Sequence, residues 1–532
     1  MNTTNTIRFL VLSLIILSQH SFSQFTNYII NPSGYSQIEP TIARHPLNPQ
    51  ILFASAYTIL LNTRSEGVYV STNGGLNWTG TDVCSGIPVQ NHGGDPGTVI
   101  DKNGTFILTH LGNIQTGMFA NYSNDNGATW SNTATIQQDD VDKGSPGTDD
   151  APASPFYGRT YLAWTYFVPP IRIVLSYTSN SGANWSGVVN VNNGFGGNRS
   201  YGPAICVNPT GTVFVTWASA IASSPFTEDY IGVARSTNGG VNWNIVENAI
   251  DINGIRTTQL PPWTIRANSF PAIDIDKTGG SRNGWVYITT TSKNLAPAGT
   301  DPDIIMYRST NNGDSWSSGV RVNQDAMNNG RNQFFPSLRV DENGGINIIY
   351  YDNRNSVDSV DVYLSRSTDG GSTFTDFKIS SSRFKPVPVS GAIGGGNMGD
   401  NLGLTSGNGK LYPVWMANYT GTFQVWSANI DYTTIGIEQI STEIPKQYSL
   451  EQNYPNPFNP ETNINFNITR SGYTTIKVYN SAGALVATLA EQELSPGSYS
   501  VTWNAASEPS GIYFYTMETN GYRESKKMIL VK

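Results

Sequence analysis

Three arginines and four acids stand at one recurring kind of place in this sequence, a few residues ahead of an apolar stretch opened by proline or a small residue. Arg199 lies in NRSYGP, Arg266 in RANSFP and Arg331 in RNQFFP, while Glu39, Asp95, Asp142 and Asp400 open EPTIA, DPGTV, DKGSP and DNLGL. Guanidinium groups facing one cavity repel by about 1–4 kcal/mol per close pair, depending on the dielectric. They therefore need facing acids or a ligand carboxylate held in charge-assisted forks. Two uses follow: gripping an anionic ligand, or tying neighbouring units together with the arginine stems packed on aromatics. In YYDNR, Asp352 and Arg354 either reach the same ligand or close an internal salt bridge. Glu228 in SPFTEDY is a candidate base and Asp95 or Asp142 a candidate acid, because glycoside chemistry runs on carboxylates or a carboxylate-activated tyrosine. Tyr201, Tyr351 and Tyr419 are available for that role. The run 139–150 offers Asp139, Asp142 and Asp149 as oxygen donors to Ca²⁺, although without the spacing of a regular loop. No other cofactor is expected, and His45, His92 and His110 show no metal-ligand spacing.

The elements that position these groups are written in a repeat. Six octapeptides, STNGGLNW (71–78), SNDNGATW (123–130), TSNSGANW (178–185), STNGGVNW (236–243), STNNGDSW (309–316) and STDGGSTF (367–374), end on aromatics 52, 55, 58, 73 and 58 residues apart. Such a period means an array of like units. Asn or Asp at the third position folds its oxygen onto nearby backbone N–H groups, and Gly at the fifth takes the left-handed conformation. The aromatic then returns inward, where burial stabilises by roughly 1.5–3 kcal/mol. The octapeptide is structural, and no catalysis is assigned to it. A second pattern, a strand, a turn and an apolar strand, occurs seven times, from 39–58 to 400–417. Seven units and six octapeptides agree if the last unit, ending at FQVWSANID (423–431), takes its fourth strand from FTNYIINP (25–32). The sequence thus predicts an all-β fold: a seven-bladed β-propeller closed by the N-terminal strand, or six-bladed if one unit is misread.

The octapeptides resemble the Asp-box, or bacterial neuraminidase repeat, of sialidases and related propellers. In that family the boxes lie on the face opposite the active site. The resemblance implies a substrate carboxylate held by an arginine trio, here Arg199, Arg266 and Arg331, and exo-sialidase-like retaining hydrolysis of a terminal acidic sugar. Glu228 would activate a tyrosine and Asp95 or Asp142 would serve as acid. The sequence departs from the family at the Phe/Tyr-Arg-Ile-Pro motif, whose nearest match is ARHP (43–46) with Arg44. A non-catalytic exported adhesion or interaction propeller using the same face is the alternative.

Both chain ends read as addresses. Arg8, the apolar run 9–17 and small residues before Gln24 form a secretory signal over 1–23, too short in its apolar part to span a bilayer. No other segment is long and apolar enough to span, so no membrane span is expected in the mature chain. Residues 24–433 are assigned to the propeller, 434–447 to a linker and 448–532 to a small Ig-like β-sandwich with period-two alternation. NYPNPFNP (453–460), GIYFY (511–515) and a Lys-containing last strand resemble the type A C-terminal sorting domain of the type IX secretion system. That implies export across the outer membrane, with the secretion machinery as the partner of 448–532 and a location at the cell surface or in the medium. A glycan or surface glycoprotein is the partner expected at the propeller mouth. Charged residues are only 13% and the net charge is −8, which argues against nucleic acid. Cys84 and Cys206 fall in non-adjacent blades and are expected as free thiols.

Overall fold

The computed structural model describes residues 25–532 except 61–62, 85–91, 114, 195, 258, 393–394, 433–434, 436, 442 and 506–507. The expected signal over 1–23 lies outside the described residues. Every regular element among them is a β-strand. Six four-stranded antiparallel sheets follow one another between Ser36 and Lys378, each pairing its strands in chain order. The first is Ser36–Arg44, Leu52–Ile59, Arg64–Ser71 and Thr79–Thr81.

A further sheet is made from both ends of this region. Gly403–Gly407, Lys410–Ala417 and Gln424–Ala428 pair in order, and Asn27–Ile29 adds to the last of them in the register Asn27↔Ala428, Tyr28↔Ser427, Ile29↔Trp426. This is the pairing expected of the N-terminal strand. The first strand of each sheet packs against the first strand of the next, and Gly403–Gly407 packs back against Ser36–Arg44. The sheets therefore stand around one axis as a β-propeller whose inner wall is the set of first strands.

The core lies between blades. Phe53, Val68 and Val70 of the first blade bury against Ile100, Phe106, Leu108 and Trp130 of the second, with the Phe53 and Phe106 rings stacked at 4.9 Å. Each octapeptide links the third and fourth strands of its blade and places its aromatic in or against such a cluster, as Phe374 does beside Ile346 and Tyr363. Its hydrogen bonds repeat. In 123–130 the Gly127 N–H donates to Ser123 Oγ (2.8 Å) and the Thr129 N–H to Asp125 Oδ1 (2.8 Å). In 236–243 Gly240 and Asn242 donate likewise to Ser236 and Asn238, each at 2.9 Å. The fifth-position glycines all have positive φ, Gly127 at 82° and Gly240 at 88° among them.

The C-terminal domain is a sandwich of two four-stranded sheets. Glu461–Ile468 alternates exposed and buried residues, and Ile464, Phe466 and Ile468 meet Val478, Tyr515 and Met528 in one core. Asn453 anchors NYPNPFNP by donating to Thr462 Oγ1 (2.8 Å) and the Pro455 carbonyl (3.0 Å). The stretch assigned to a linker is corrected in part. Within 434–447, Ile437–Ser441 pairs with Gly497–Asn504 as an edge strand of the sandwich, and Ile437 joins the core. Five residues of mixed polarity looked like tether because an edge strand needs few apolar side chains. Cys84 and Cys206 are free and buried.

Candidate functional site

Each inner strand enters at the end of the propeller opposite the octapeptides, and there most of them carry a bulge. Register shifts fall between Ile38 and Thr41, Gly94 and Gly97, Asp142 and Ser145, Tyr201 and Ala204, and Phe334 and Ser337. Inside these bulges Glu39, Asp95, Lys143, Gly202 and Phe335 have φ between 50° and 57°. For a residue with a Cβ this conformation costs roughly 1–2 kcal/mol. Bulges re-aim side chains, and such strain gathers where geometry is functional. Gly202 is required for a different reason: a Cβ there would sit 2.4 Å from the Phe270 ring, which occupies the space.

These residues enclose an axial mouth of about 300 Å³, lined by Asp95, Lys143, Asn268, Phe270, Asp400 and Asn401 among others. Its charges are compensated internally. Arg266 Nη2 reaches Asp400 Oδ2 at 2.7 Å and Asn268 Nδ2 donates to the other carboxylate oxygen at 3.2 Å. Lys143 donates from Nζ to Asn401 Oδ1 (2.6 Å) and from its backbone N–H to Asp95 Oδ2 (2.9 Å). Burial, reinforced by Asp95, holds the carboxyls of Glu39 and Asp142 well above the usual range. Burial alone would raise Asp95 too, but Lys143 and hydrogen bonds from Glu39 and Asp142 outweigh it and hold Asp95 below the usual range. Burial opposes charge on Lys143 and Arg266, and the surrounding acids overcome it. The mouth therefore presents the carboxyl groups of Asp95 and Asp400, the second already paired with Arg266, while Glu39 and Asp142 lie buried behind them.

Of the residues expected at this site, Asp95, Asp142 and Arg266 are brought together, joined by Glu39 and Asp400. The arginine trio does not assemble. Arg199 lies over the rings of Phe226 (4.2 Å) and Tyr201 (5.5 Å), and Arg331 Nη1 caps the Ser356 carbonyl at 3.3 Å. Glu228 is not available as a base: only 1% exposed, it accepts backbone N–H groups of Ser269 (3.0 Å) and Arg256 (2.9 Å) on its two oxygens. It ties the backbone at Arg256 and Ser269 to its blade. Asp352 and Arg354 form the internal salt bridge, and Arg354 also reaches Asp376 at 2.6 Å and stacks on Tyr363. Burial pushes Asp352 up to about 6 despite that partner. Among the described residues none of the candidate tyrosines meets a carboxylate in a hydrogen bond: Tyr351 donates to the Met416 carbonyl (2.6 Å), Tyr201 lies beneath Arg199 and Arg256, and Tyr419 is half-buried against Phe384 and Trp426.

Arg44 lies at the far end of its inner strand, on the octapeptide side, lining a separate cavity with Asp150, Lys277 and Arg339. It is out of reach of the mouth. The three carboxylates offered to Ca²⁺ go separate ways. Asp139 accepts from Tyr166 (2.6 Å), Asp149 from Ser154 (2.5 Å), and Asp142 belongs to the axial cluster. What the histidine spacing did not reveal is that His92 and His110 come together with Glu66, because pairing across strands owes nothing to sequence distance. Burial pushes both histidines down to about 4 and Glu66 up to about 7.

With the geometry in place, comparison with known proteins decides one domain. Residues 452–532 match the family described as Secretion system C-terminal sorting domain. This chain ends in a sorting domain. The type IX domain directs the protein to the cell surface or medium. No curated protein matches the chain. Among solved structures it is similar to an ulvan lyase (11% identity, TM-score 0.47, covering 76% of this chain and 96% of that one). It is similar also to the leech intramolecular trans-sialidase (12%, 0.43, 66% and 70%) and a Penicillium chrysogenum α-L-arabinanase (14%, 0.40, 61% and 93%). These are likenesses of fold.

Proposed function

We propose that this is an exported glycan-binding propeller that takes the end of a surface saccharide into its axial mouth. The observation that carries the reading is the lining: the partly exposed face of Phe270 beside Asn268, Lys143, Asp95 and Asp400, in a cavity the size of a small ligand site. An aromatic face flanked by oriented donors and acceptors suits a sugar ring, whose two faces are apolar and whose rim is hydroxylated. The sorting domain supports a ligand outside the cell. The dispersed arginines favour binding over the sialidase mechanism, since of the three only Arg266 meets an acid of the mouth, and that acid, Asp400, already holds it. A second reading rests on the carboxyl groups. Asp142, held above the usual carboxyl range, lies beside Asp95, held below it, and such an unequal pair is what acid–base glycoside chemistry uses.

A glycan panel titrated against the purified chain separates these readings. Saturable binding weakened at least tenfold by Phe270→Ala, without turnover of sialoside or neutral glycoside reporters, is the expected result. Turnover abolished by Asp142→Asn would favour the hydrolase. Binding indifferent to Phe270→Ala would remove the mouth from the account.

A further inference from the structure

Between the first and second blades lies a polar cluster that the mouth does not use. Glu66 comes from Arg64–Ser71, His92 opens the inner strand His92–Ile100, and His110 lies on its neighbour Phe106–Gly112. All three are buried, with 0%, 6% and 0% exposure. One donor atom from each lies within 4.8 Å of the others. Glu66 accepts the Gly94 N–H on Oε1 (2.6 Å) and meets His92 Nδ1 with Oε2. The two imidazoles lie face to face at 3.9 Å and 9°.

The hydrogen bonds leave nitrogen lone pairs without a purpose. Asn121 Nδ2 donates to the Ser131 carbonyl (3.0 Å) and Thr133 Oγ1 (3.1 Å), which turns its oxygen towards His110 Nε2 at 3.0 Å. Nε2 therefore carries the ring proton. In the neutral ring Nδ1 then holds a lone pair, yet it faces the Leu111 carbonyl oxygen at 2.8 Å. Two acceptors that close repel unless a cation joins them. Nε2 of His92 is likewise buried with no hydrogen-bond partner among the described residues, although buried polar atoms are rarely left unpaired. A second proton on His110 would answer the first problem only by burying an imidazolium, and it would leave the second untouched.

We propose that Glu66, His92 and His110 form a binding site for a divalent transition-metal ion of the Zn²⁺ type. Two imidazoles and a carboxylate are the donor set that selects Zn²⁺, Co²⁺ or Ni²⁺ over Ca²⁺ and Mg²⁺. Oriented outer partners, Asn121 on His110 and the Gly94 N–H on Glu66, are those that metal ligands commonly have. The ion would join two blades where the first packs on the second. It is separate from the axial chemistry and stands whether or not the mouth binds a glycan.

The test uses the full chain, stripped with a chelator and dialysed. Zn²⁺ alone or Ca²⁺ alone is then added, and bound metal is counted by mass spectrometry beside a thermal melt. One Zn²⁺ per chain, a higher melting temperature with Zn²⁺ and none with Ca²⁺ are expected. His110→Gln and His92→Gln should each lose at least tenfold in Zn²⁺ affinity, while His45→Gln retains it. Co²⁺ added to the wild type should give the visible absorption of a site with nitrogen ligands. If wild type holds no stoichiometric Zn²⁺, or Ca²⁺ serves equally, the proposal fails. It fails also if folded His92→Gln and His110→Gln proteins bind as wild type does.

Discussion

Buried carboxyl groups are costly to ionise, and that cost should be measurable at Asp142. Its proton is held more tightly in the folded chain than in the unfolded one, because burial and Asp95 disfavour the anion. The folded state then binds more protons, so this group's contribution to stability is greatest below the ordinary carboxylate pKa and falls as pH rises above it. Asp142→Asn keeps a neutral side chain of the same shape at every pH. Its melting temperature should decline less between pH 5 and pH 8 than that of the wild type; an equal decline would mean that Asp142 is ionised throughout. The octapeptides allow a cleaner test of single atoms. The third position needs only an acceptor oxygen, and four of the six copies use asparagine. Asp125→Asn should therefore change stability by less than about 0.5 kcal/mol. Ser123→Ala removes the acceptor for Gly127 N–H and should cost about 1–2 kcal/mol. Chemical denaturation of the two variants decides this, and equal effects would deny the first-position hydroxyl its role. That hydroxyl was present in all six copies as Ser or Thr, but its partner four residues on could be read only from the folded turn.

At the level of strands, the weakest joint is the one made without a covalent turn. Asn27–Ile29 is three residues long and holds its place by pairing with Gln424–Ala428 and by Asn27, whose amide reaches the Ile379 carbonyl at 2.8 Å. A chain beginning at residue 33 would expose the edge of Gln424–Ala428 and lose the bond that closes the ring. It should melt at lower temperature and be cut by protease within 424–428 far faster than wild type, and a synthetic 25–32 peptide should restore protection. Unchanged proteolysis would show that the propeller closes without this strand. The strand was legible from arithmetic alone, seven units against six turns. The inner-strand bulges were half legible: Glu39–Pro40, Asp95–Pro96, Gly202–Pro203 and Phe335–Pro336 repeat a residue before proline, but proline says nothing of a left-handed φ ahead of it. The failure of the arginine trio has the same origin. Sequence placed Arg199, Arg266 and Arg331 at equivalent sites, yet side chains this long choose partners by local packing, an aromatic ring, a carboxylate and a carbonyl in turn.

At the scale of the molecule, two folding units of unlike purpose share one chain, and the boundary between them is testable. The alternation of Glu461–Ile468 and the NYPNPFNP turn made the sandwich legible, because half-exposed strands write their burial directly into sequence. Its first strand was not, since Ile437–Ser441 pairs on one side only and has a partner, Gly497–Asn504, some sixty residues away. A fragment of 448–532 would therefore lack an edge strand and leave Gly497–Asn504 with one open flank, inviting association with another copy. A fragment of 435–532 keeps that flank covered and buries Ile437. The longer fragment should unfold at higher temperature and remain monomeric at concentrations where the shorter one associates, as measured by calorimetry and light scattering. Should both behave alike, Ile437–Ser441 adds nothing to the sorting domain, and the tether would have to be drawn to residue 447 again. If they differ, the sorting unit begins at Ile437 rather than at residue 448, because its outer strand is part of what makes the sandwich stable.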